Sequence, residues 1–232
     1  MTNNDLTRKL VLGLSLFVGL QLTNSLARGA DEEIKTVRFR LVGQLANDPP
    51  LVQRWYMTTD AMRMELPGGQ AAGVRESSLP LMAAVIESLR LKQGLAIDFL
   101  EKQAVRMQLD DAQIRQCHNP AAAMSRIVTD PGEVLREEKV AERKTQVYRL
   151  KKLDFLFLTQ PVGEKDSAML WVDLETELPV RIELKIANLD GQGESKMVFD
   201  EFTWNEPIDA KLFELKAPDG FAVTGDSGTK MR

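Results

Sequence analysis

Apolar and polar residues alternate along much of this chain, and a period of two is typical of a β-strand with one buried face. The clearest alternation follows Pro179, where the apolar positions are Val180, Ile182, Leu184 and Ile186. Similar alternation predicts strands within residues 37–41, 54–58, 61–66, 95–99, 105–109, 145–150, 153–158, 168–174 and 196–205. The pattern therefore predicts about nine to ten strands, joined mostly as antiparallel hairpins.

Two of these hairpins can be assigned from the polar or glycine-containing segments that adjoin their strands. Residues 54–58 and 61–66 form the first, and Gly68-Gly69 supplies the turn that follows it. Residues 95–99 and 105–109 form the second, because a short polar stretch separates them.

Helix signals interrupt the strand pattern near the middle of the chain. Asn119 followed by Pro120 is an N-cap and first-turn pair, which predicts a helix continuing through residues 121–128. Asp130-Pro131 repeats the signal and predicts a second short helix through Glu138. We expect these two helices to cover one mouth of the sheet.

Two further segments have less regular patterns. Residues 81–91 are either a short helix or an irregular strand, because Leu81, Val85 and Leu89 fall at helical spacing. Near the C-terminus, Asp209 is predicted to cap a short turn, and Pro218-Asp219-Gly220 is predicted to end the ordered chain. The fold class expected from these elements is mainly β with short helices, as a strongly curved antiparallel sheet wrapped over the helices.

The N-terminus has the three parts of a secretory signal peptide. Arg8-Lys9 is the cationic part, Leu10 to Leu22 is the apolar part, and Ser25 with Ala27 forms the small-residue exit. The apolar run is shorter than the roughly 20 residues of a membrane-spanning helix. We therefore predict that residues 1–27 are a removable signal peptide, and that the protein is periplasmic or otherwise extracytoplasmic.

Composition narrows the function further. The net charge is −4, which argues against nucleic acid as a partner, since nucleic acid requires a basic face. The mature chain, residues 28–232, contains no repeat or linker and is predicted to form one domain, with an ordered core of about 35–222 and a flexible tail. Cys117 is the only cysteine, so no internal disulfide forms and no lipid attachment site follows the signal. No permanent membrane span is expected after cleavage.

The sequence offers little for catalysis. Cys117 and His118 are adjacent, so on an extended chain they point to opposite sides, and a surface loop before the Asn119 cap is the favoured interpretation. The acids at 173, 175 and 177 are typical of a solvated hairpin turn. We predict no catalytic residues, no metal and no cofactor.

The second half of the chain resembles a known family. The segments that carry this resemblance are 171–183 (WVDLETELPVRIE), 199–205 (FDEFTWN), Leu212-Phe213 and 217–221 (APDGF). They are similar to the periplasmic lipoprotein-carrier (LolA-like) superfamily, and most similar to its uncharacterised members. The resemblance extends over about residues 35–222, with its distinctive letters in 168–221.

The resemblance implies an unclosed β-barrel lined with apolar side chains and lidded by helices. Carriers of this superfamily shield lipoprotein acyl chains from water, whereas other members take part in envelope-stress regulation by binding an anti-sigma factor. The carriers use an arginine in an early strand, and the positions open to it here are Arg38, Arg40, Arg54 and Arg63.

Our functional prediction is a binding protein that holds an acyl chain, a lipid or a lipoprotein on the concave side of the sheet. The nominated ligand-binding residues are apolar members of alternating strands: Phe39, Leu41, Met64, Leu66, Ile97, Phe99, Met107 and Leu109. The alternative is an envelope regulatory or structural protein that binds another protein through the same fold, without a lipid.

Two residue types leave both of these interpretations open. Methionine suits surfaces that adapt to different ligands, but it also fills cores, and the relevant residues are Met57, Met62, Met64, Met107, Met169 and Met197. Trp55, Trp171 and Trp204 either anchor the sheet to its helices or line the mouth of a cavity.

Overall fold

The computed structural model describes residues 34–44, 49–68, 79–111, 114, 119–129, 131–155, 158–161, 166–187 and 194–225. The predicted signal peptide, the Cys117-His118 pair, Gly69 and the predicted turn at 190–193 lie outside these residues.

The described residues form fourteen strands. In chain order these are β1 Thr36–Gln44, β2 Leu51–Thr58, β3 Ala61–Pro67, β4 Leu81–Ser88, β5 Gln93–Asp98, β6 Gln103–Gln108, β7 Glu133–Val140, β8 Arg143–Arg149, β9 Lys152–Phe155, β10 Leu158–Pro161, β11 Ser167–Asp173, β12 Pro179–Ala187, β13 Glu194–Trp204 and β14 Ala222–Thr224. Helix α1 spans Pro120–Ser125 and continues as a 3₁₀ turn over Arg126–Thr129, and a second 3₁₀ turn spans Ala210–Phe213.

Twelve of the strands form one sheet in the order β14-β6-β5-β4-β3-β2-β1-β13-β12-β11-β8-β7, and β9 and β10 pair separately. Every pairing is antiparallel except that of β14 with β6. The sheet is curved, and it stays open because its two end strands, β7 and β14, do not pair with each other. The predicted curved, unclosed antiparallel sheet is therefore confirmed.

Cross-strand partners lie on the same side of a sheet, so the register assigns each residue to a face. We call the side that carries Val37, Phe39 and their cross-strand partners the inner face, and the side that carries Arg38 and Arg40 the outer face. The main core cluster lies on the inner face and joins residues of β1, β2, β3, β11, β12 and β13 to Ala121 and Met124 of α1. Helix α1 contacts β1 and β2 directly.

The outer face is charged in its centre and apolar towards its ends. In the centre, Arg40 donates two hydrogen bonds of 2.8 Å to the carboxylate of Asp200. Towards β6, a cluster of Ile86, Leu95, Ile97 and Ala104 is covered by the C-terminal segment, residues 206–225, through Leu215, Ala217 and Phe221. Towards β7, Trp171 packs with Val147 and Val180.

The first predicted helix is confirmed, and the second is wrong. Asn119 caps α1 by accepting a hydrogen bond from the backbone of Ala122 at 3.0 Å. The segment predicted as a second helix is instead β7, which pairs with β8. The turn between them places Ala141 and Glu142 at φ of 44° and 69°, values typical of a tight hairpin turn. Because that turn contains neither Asn nor Gly, its sequence did not signal a hairpin. Among the described residues, therefore, no lid of two helices forms.

The structure also differs from the sequence predictions at residues 81–91 and near the C-terminus. Residues 81–91 enter a regular strand, β4, which pairs with β3 and β5, so the helical spacing there was misleading. The ordered chain continues past Gly220, contrary to prediction, because Ala222–Thr224 adds β14 to the edge of the sheet beside β6.

Candidate functional site

The inner face is the candidate site, and its residues form rows across the strands. One row runs through Val37, Met57, Met62, Glu87, Gly94 and Met107. The next row runs through Phe39, Trp55, Met64, Val85, Ala96 and Val105. Since almost every member is apolar, this face presents a broad hydrophobic surface over more than half of the sheet.

Aromatic rings concentrate in the middle of this face. Phe39 stacks with Trp55 at a centroid distance of 6.1 Å and with Phe202 at 5.2 Å. Phe202 in turn stacks with Trp204 at 5.6 Å, and Phe39 also contacts Phe199 at 5.9 Å. Such contacts stabilise the packing beyond what burial of the ring area alone provides.

The two ends of the inner face differ in exposure. At the end where α1 packs, Val37, Met57 and Met124 are fully buried. At the opposite end, three apolar side chains that pack on the core are only half-buried, and these are Leu41, Ile186 and Met197. We call this second end the open end. A hydrophobic chain could reach the interior there without displacing α1.

The nominated ligand-binding residues fall on both faces. Six share the inner face: Phe39, Leu41, Met64, Leu66, Met107 and Leu109. Ile97 and Phe99 lie on the outer face, where Phe99 makes an edge-to-face contact of 5.7 Å with Phe221. They therefore pack under the C-terminal segment and not beside the other six.

Methionine and tryptophan are distributed unevenly between the faces. Met57, Met62, Met64, Met107 and Met197 lie on the inner face, and Met169 lies on the outer face. Trp55 and Trp204 also lie on the inner face, and the indole N–H of Trp204 donates to the carbonyl of Pro179 at 2.9 Å. The indole N–H of Trp171, on the outer face, donates to Glu138.

The four arginines that are candidates for the early-strand arginine of the carriers all point to the outer face. Arg38, Arg40, Arg54 and Arg63 alternate with inner-face residues along β1, β2 and β3. Arg63 is almost buried, and its Nε lies 2.8 Å from Oε1 of Glu65, with Nη1 donating to the carbonyl of Leu212 at 3.0 Å. None of the four reaches a ligand that lies on the inner face.

Glu87 on β4 is a polar residue of the inner face that the sequence analysis did not identify. Burial raises the pKa of its carboxyl above the usual value, because the charged form loses hydration. The helical spacing of residues 81–91 concealed which face this side chain occupies. The signal that could have revealed it is the two-residue period from Met82 through Ala84 to Ile86, which assigns Glu87 to the opposite side.

A separate cavity of about 620 Å³ opens beside the outer face. The turns after β2 and β4 form one wall, and the C-terminal segment forms the other. Its apolar lining comes from Leu91, Ile208, Phe213 and Leu215, and its charged lining from Asp60, Arg90, Glu214 and Lys216. This cavity contains none of the nominated residues.

The described ranges contain neither a side-chain cluster suited to a metal ion nor a helix suited to a membrane. No group of three or more histidine, cysteine, aspartate or glutamate side chains lies close enough there to hold a metal ion. Of the helices described, none combines the length and the apolar character that a membrane crossing requires.

No protein-family model and no curated protein matches this chain. Among solved structures, it is similar to an uncharacterised conserved protein from Thermus thermophilus, with 14% identity over 83% of this chain and 91% of the other, at a TM-score of 0.45. It is also similar to the Pseudomonas aeruginosa MucA/MucB complex, with 17% identity over 78% of this chain and 56% of the other, at 0.40. A third is a LolA superfamily protein from Nitrosomonas europaea, with 12% identity over 80% and 91%, at 0.29.

Proposed function

We propose that this chain is an exported binding protein that holds an acyl chain, a lipid or a lipidated partner against the inner face of its sheet. The carrying observation is the mostly apolar surface of that face, which is rich in methionine and only half-buried at its open end. A pocket for a hydrophobic ligand is expected to be mostly apolar with few polar groups. The signal-like residues 1–27 support export.

The proposed role is binding without catalysis. The inner face provides a flexible thioether lining, which adapts to chains of different shape, and a rigid aromatic centre formed by Phe39 and its neighbours. A ligand would enter at the open end, beside Leu41 and Met197, where the apolar side chains are already partly exposed.

The test is native mass spectrometry of the exported protein, purified without detergent, followed by organic extraction and lipid analysis. We expect a bound lipid in stoichiometric amount. Leu41→Glu and Met197→Glu should each abolish its retention, because they place a charge at the open end. Leu100→Glu is the matched control, since Leu100 is exposed in the turn between β5 and β6. A clean mass without ligand, unchanged by incubation with fatty acids and lipopeptides, would contradict the proposal.

A second candidate function, binding of another envelope protein, is favoured by a different observation. The centre of the inner face is tightly packed, with Met64 and Leu66 each 1% exposed. The 620 Å³ cavity beside Leu91, by contrast, is an open feature with both apolar and charged side chains, as is common at interfaces with partner proteins. Leu91→Asp would then weaken a crosslinked complex with the partner, whereas Leu41→Glu would not.

A further inference from the structure

Glu87 is a carboxylate on the inner face, and its neighbours there are apolar side chains and a glycine. Its cross-strand partners on the inner face are Met62 on one side and Gly94 on the other, and Met107 follows beyond Gly94. Within the described part of the chain, its side chain has no hydrogen bond or ion pair. Asp98, another carboxylate on this face, differs because it accepts hydrogen bonds of 2.9 Å from the backbone of Leu100 and Glu101.

The surroundings of Glu87 leave its head group beside a flexible hydrophobic lining. A Cβ added at Gly94 would lie 3.0 Å from Cε of Met107 and 3.6 Å from Cγ of Glu87. The methyl group of Met107 and the aliphatic stem of Glu87 thus share the space above Gly94. Both side chains are unbranched, so both can move aside for a ligand without a change in the backbone.

The Glu87 carboxylate favours some head groups of an amphiphilic ligand over others. The Glu87 side chain is half-buried, so its carboxylate keeps only part of its hydration, and a donor supplied by a ligand compensates for the part that is lost. An ammonium supplies three donors and an opposite charge, which makes the hydrogen bond charge-assisted. A second carboxylate or a phosphate at the same place is repelled.

We propose that Glu87 receives the protonated amine of a long-chain amphiphile whose hydrocarbon lies along the inner face towards the open end. From Glu87 to Ala83, at the other end of β4, the strand extends over about 13 Å. That length is comparable with a dodecyl chain, which would pass over Val85 and end beside Ala83 and its cross-strand partner Leu66. The inference rests on the proposed function and specifies its ligand.

The test is displacement of a neutral fluorescent probe, N-phenylnaphthylamine, by three ligands of equal chain length below their micellar concentrations. These are dodecylamine, dodecanol and dodecanoate, at pH 7 and constant salt. We expect dodecylamine to bind at least about tenfold more tightly than dodecanol, and dodecanoate more weakly than both. Glu87→Gln should reduce dodecylamine to the level of dodecanol and strengthen dodecanoate.

The matched control is Glu101→Gln, a substitution of the same kind in the exposed turn between β5 and β6. It should behave as the unchanged protein with all three ligands, and thermal unfolding should show that both variants are folded. Equal affinities of the three ligands, or an amine preference that survives Glu87→Gln, would overturn the inference while leaving the proposed function standing. Failure of the neutral probe itself to bind would overturn both.

Discussion

At the scale of single residues, Arg63 and Glu65 form a nearly buried ion pair on the outer face. Their side chains are 11% and 8% exposed, and the hydroxyl of Tyr56 also lies 3.5 Å from Glu65. Burial is the main cause that raises the pKa of Tyr56, and the Glu65 charge adds to it. Removing one member of such a pair leaves an uncompensated charge in a dry environment.

Arg63→Ala should therefore lower the free energy of unfolding by about 3 kcal/mol. The double change Arg63→Met with Glu65→Leu should recover most of that loss, because no buried charge remains. Arg38→Ala is the control, since its ion pair with Glu206 is half-exposed and should contribute under about 1 kcal/mol. Urea unfolding measures all three. Equal losses at Arg63 and Arg38 would contradict this account.

The raised pKa of Glu87 should make the stability of the folded protein depend on pH. The folded protein holds the Glu87 proton at a pH where the unfolded chain has already released it, so stability falls as pH rises through this window. Glu87→Gln removes the titration and should raise the melting temperature at neutral pH. The gain should shrink as pH is lowered through the raised pKa. A gain that stays constant from neutral pH to about pH 4 would show that ionisation of Glu87 is not its cause.

At the scale of elements, the hairpin of β7 and β8 is joined by residues that tolerate its turn poorly. Ala141 and Glu142 both adopt positive φ, a conformation that Asn and Gly adopt at lower cost. The double change Ala141→Asn with Glu142→Gly should raise the free energy of unfolding by about 1 kcal/mol in thermal or urea unfolding. The same pair of changes at the exposed residues Glu175 and Thr176, where φ is not positive, should not stabilise the protein.

Because the two faces of the sheet carry different tryptophans, quenching of tryptophan fluorescence should show which face binds the ligand. Trp55 lies on the inner face and Trp171 on the outer face, so a ligand bound inside is close to only one of them. In variants that keep a single tryptophan, a brominated acyl chain should quench the fluorescence of Trp55 and leave that of Trp171 almost unchanged. Equal quenching of both would mean that the chain does not bind on the inner face.

Individual hairpins could be predicted from the sequence, but the order of strands in the sheet could not. A period of two gives the faces within one strand, and turn residues connect neighbouring strands such as β2 and β3. The pairing of β1 with β13 joins residues about 160 positions apart, and no local pattern specifies it. The helix predicted after Asp130 failed because long-range pairing with β8 outweighed a local capping signal.

The sequence predicted part of the candidate site, as it predicted part of the fold. Six nominated residues share the inner face because alternation within their strands is clear. Ile97 and Phe99 lie on the outer face, and pattern alone could not separate them from the other six, since β5 is buried on both sides. Glu87 was missed because the helical spacing of residues 81–91 concealed the two-residue period of β4.

At the scale of the whole molecule, the C-terminal segment protects the outer face. Leu215, Ala217 and Phe221 cover the cluster around Ile86 and Leu95, and Leu212 accepts a hydrogen bond from Arg63. A chain that ends at Asn205 should lose about 3 kcal/mol of stability and bind the dye anilinonaphthalene sulfonate, because apolar surface becomes exposed. A chain that ends at Gly225 is the control and should match the full-length protein. Dye binding equal in both would argue against a protective role.

The central position of β1 constrains when the chain can fold. Both neighbours of β1 in the sheet are needed to bury Phe39, and one of them, β13, is among the last strands made. A chain that emerges from a ribosome or a translocation pore with its N-terminus first therefore cannot complete its core until nearly all of it has emerged. Native contacts between such distant segments also form slowly. The strand order thus delays completion of the core until β13 has emerged.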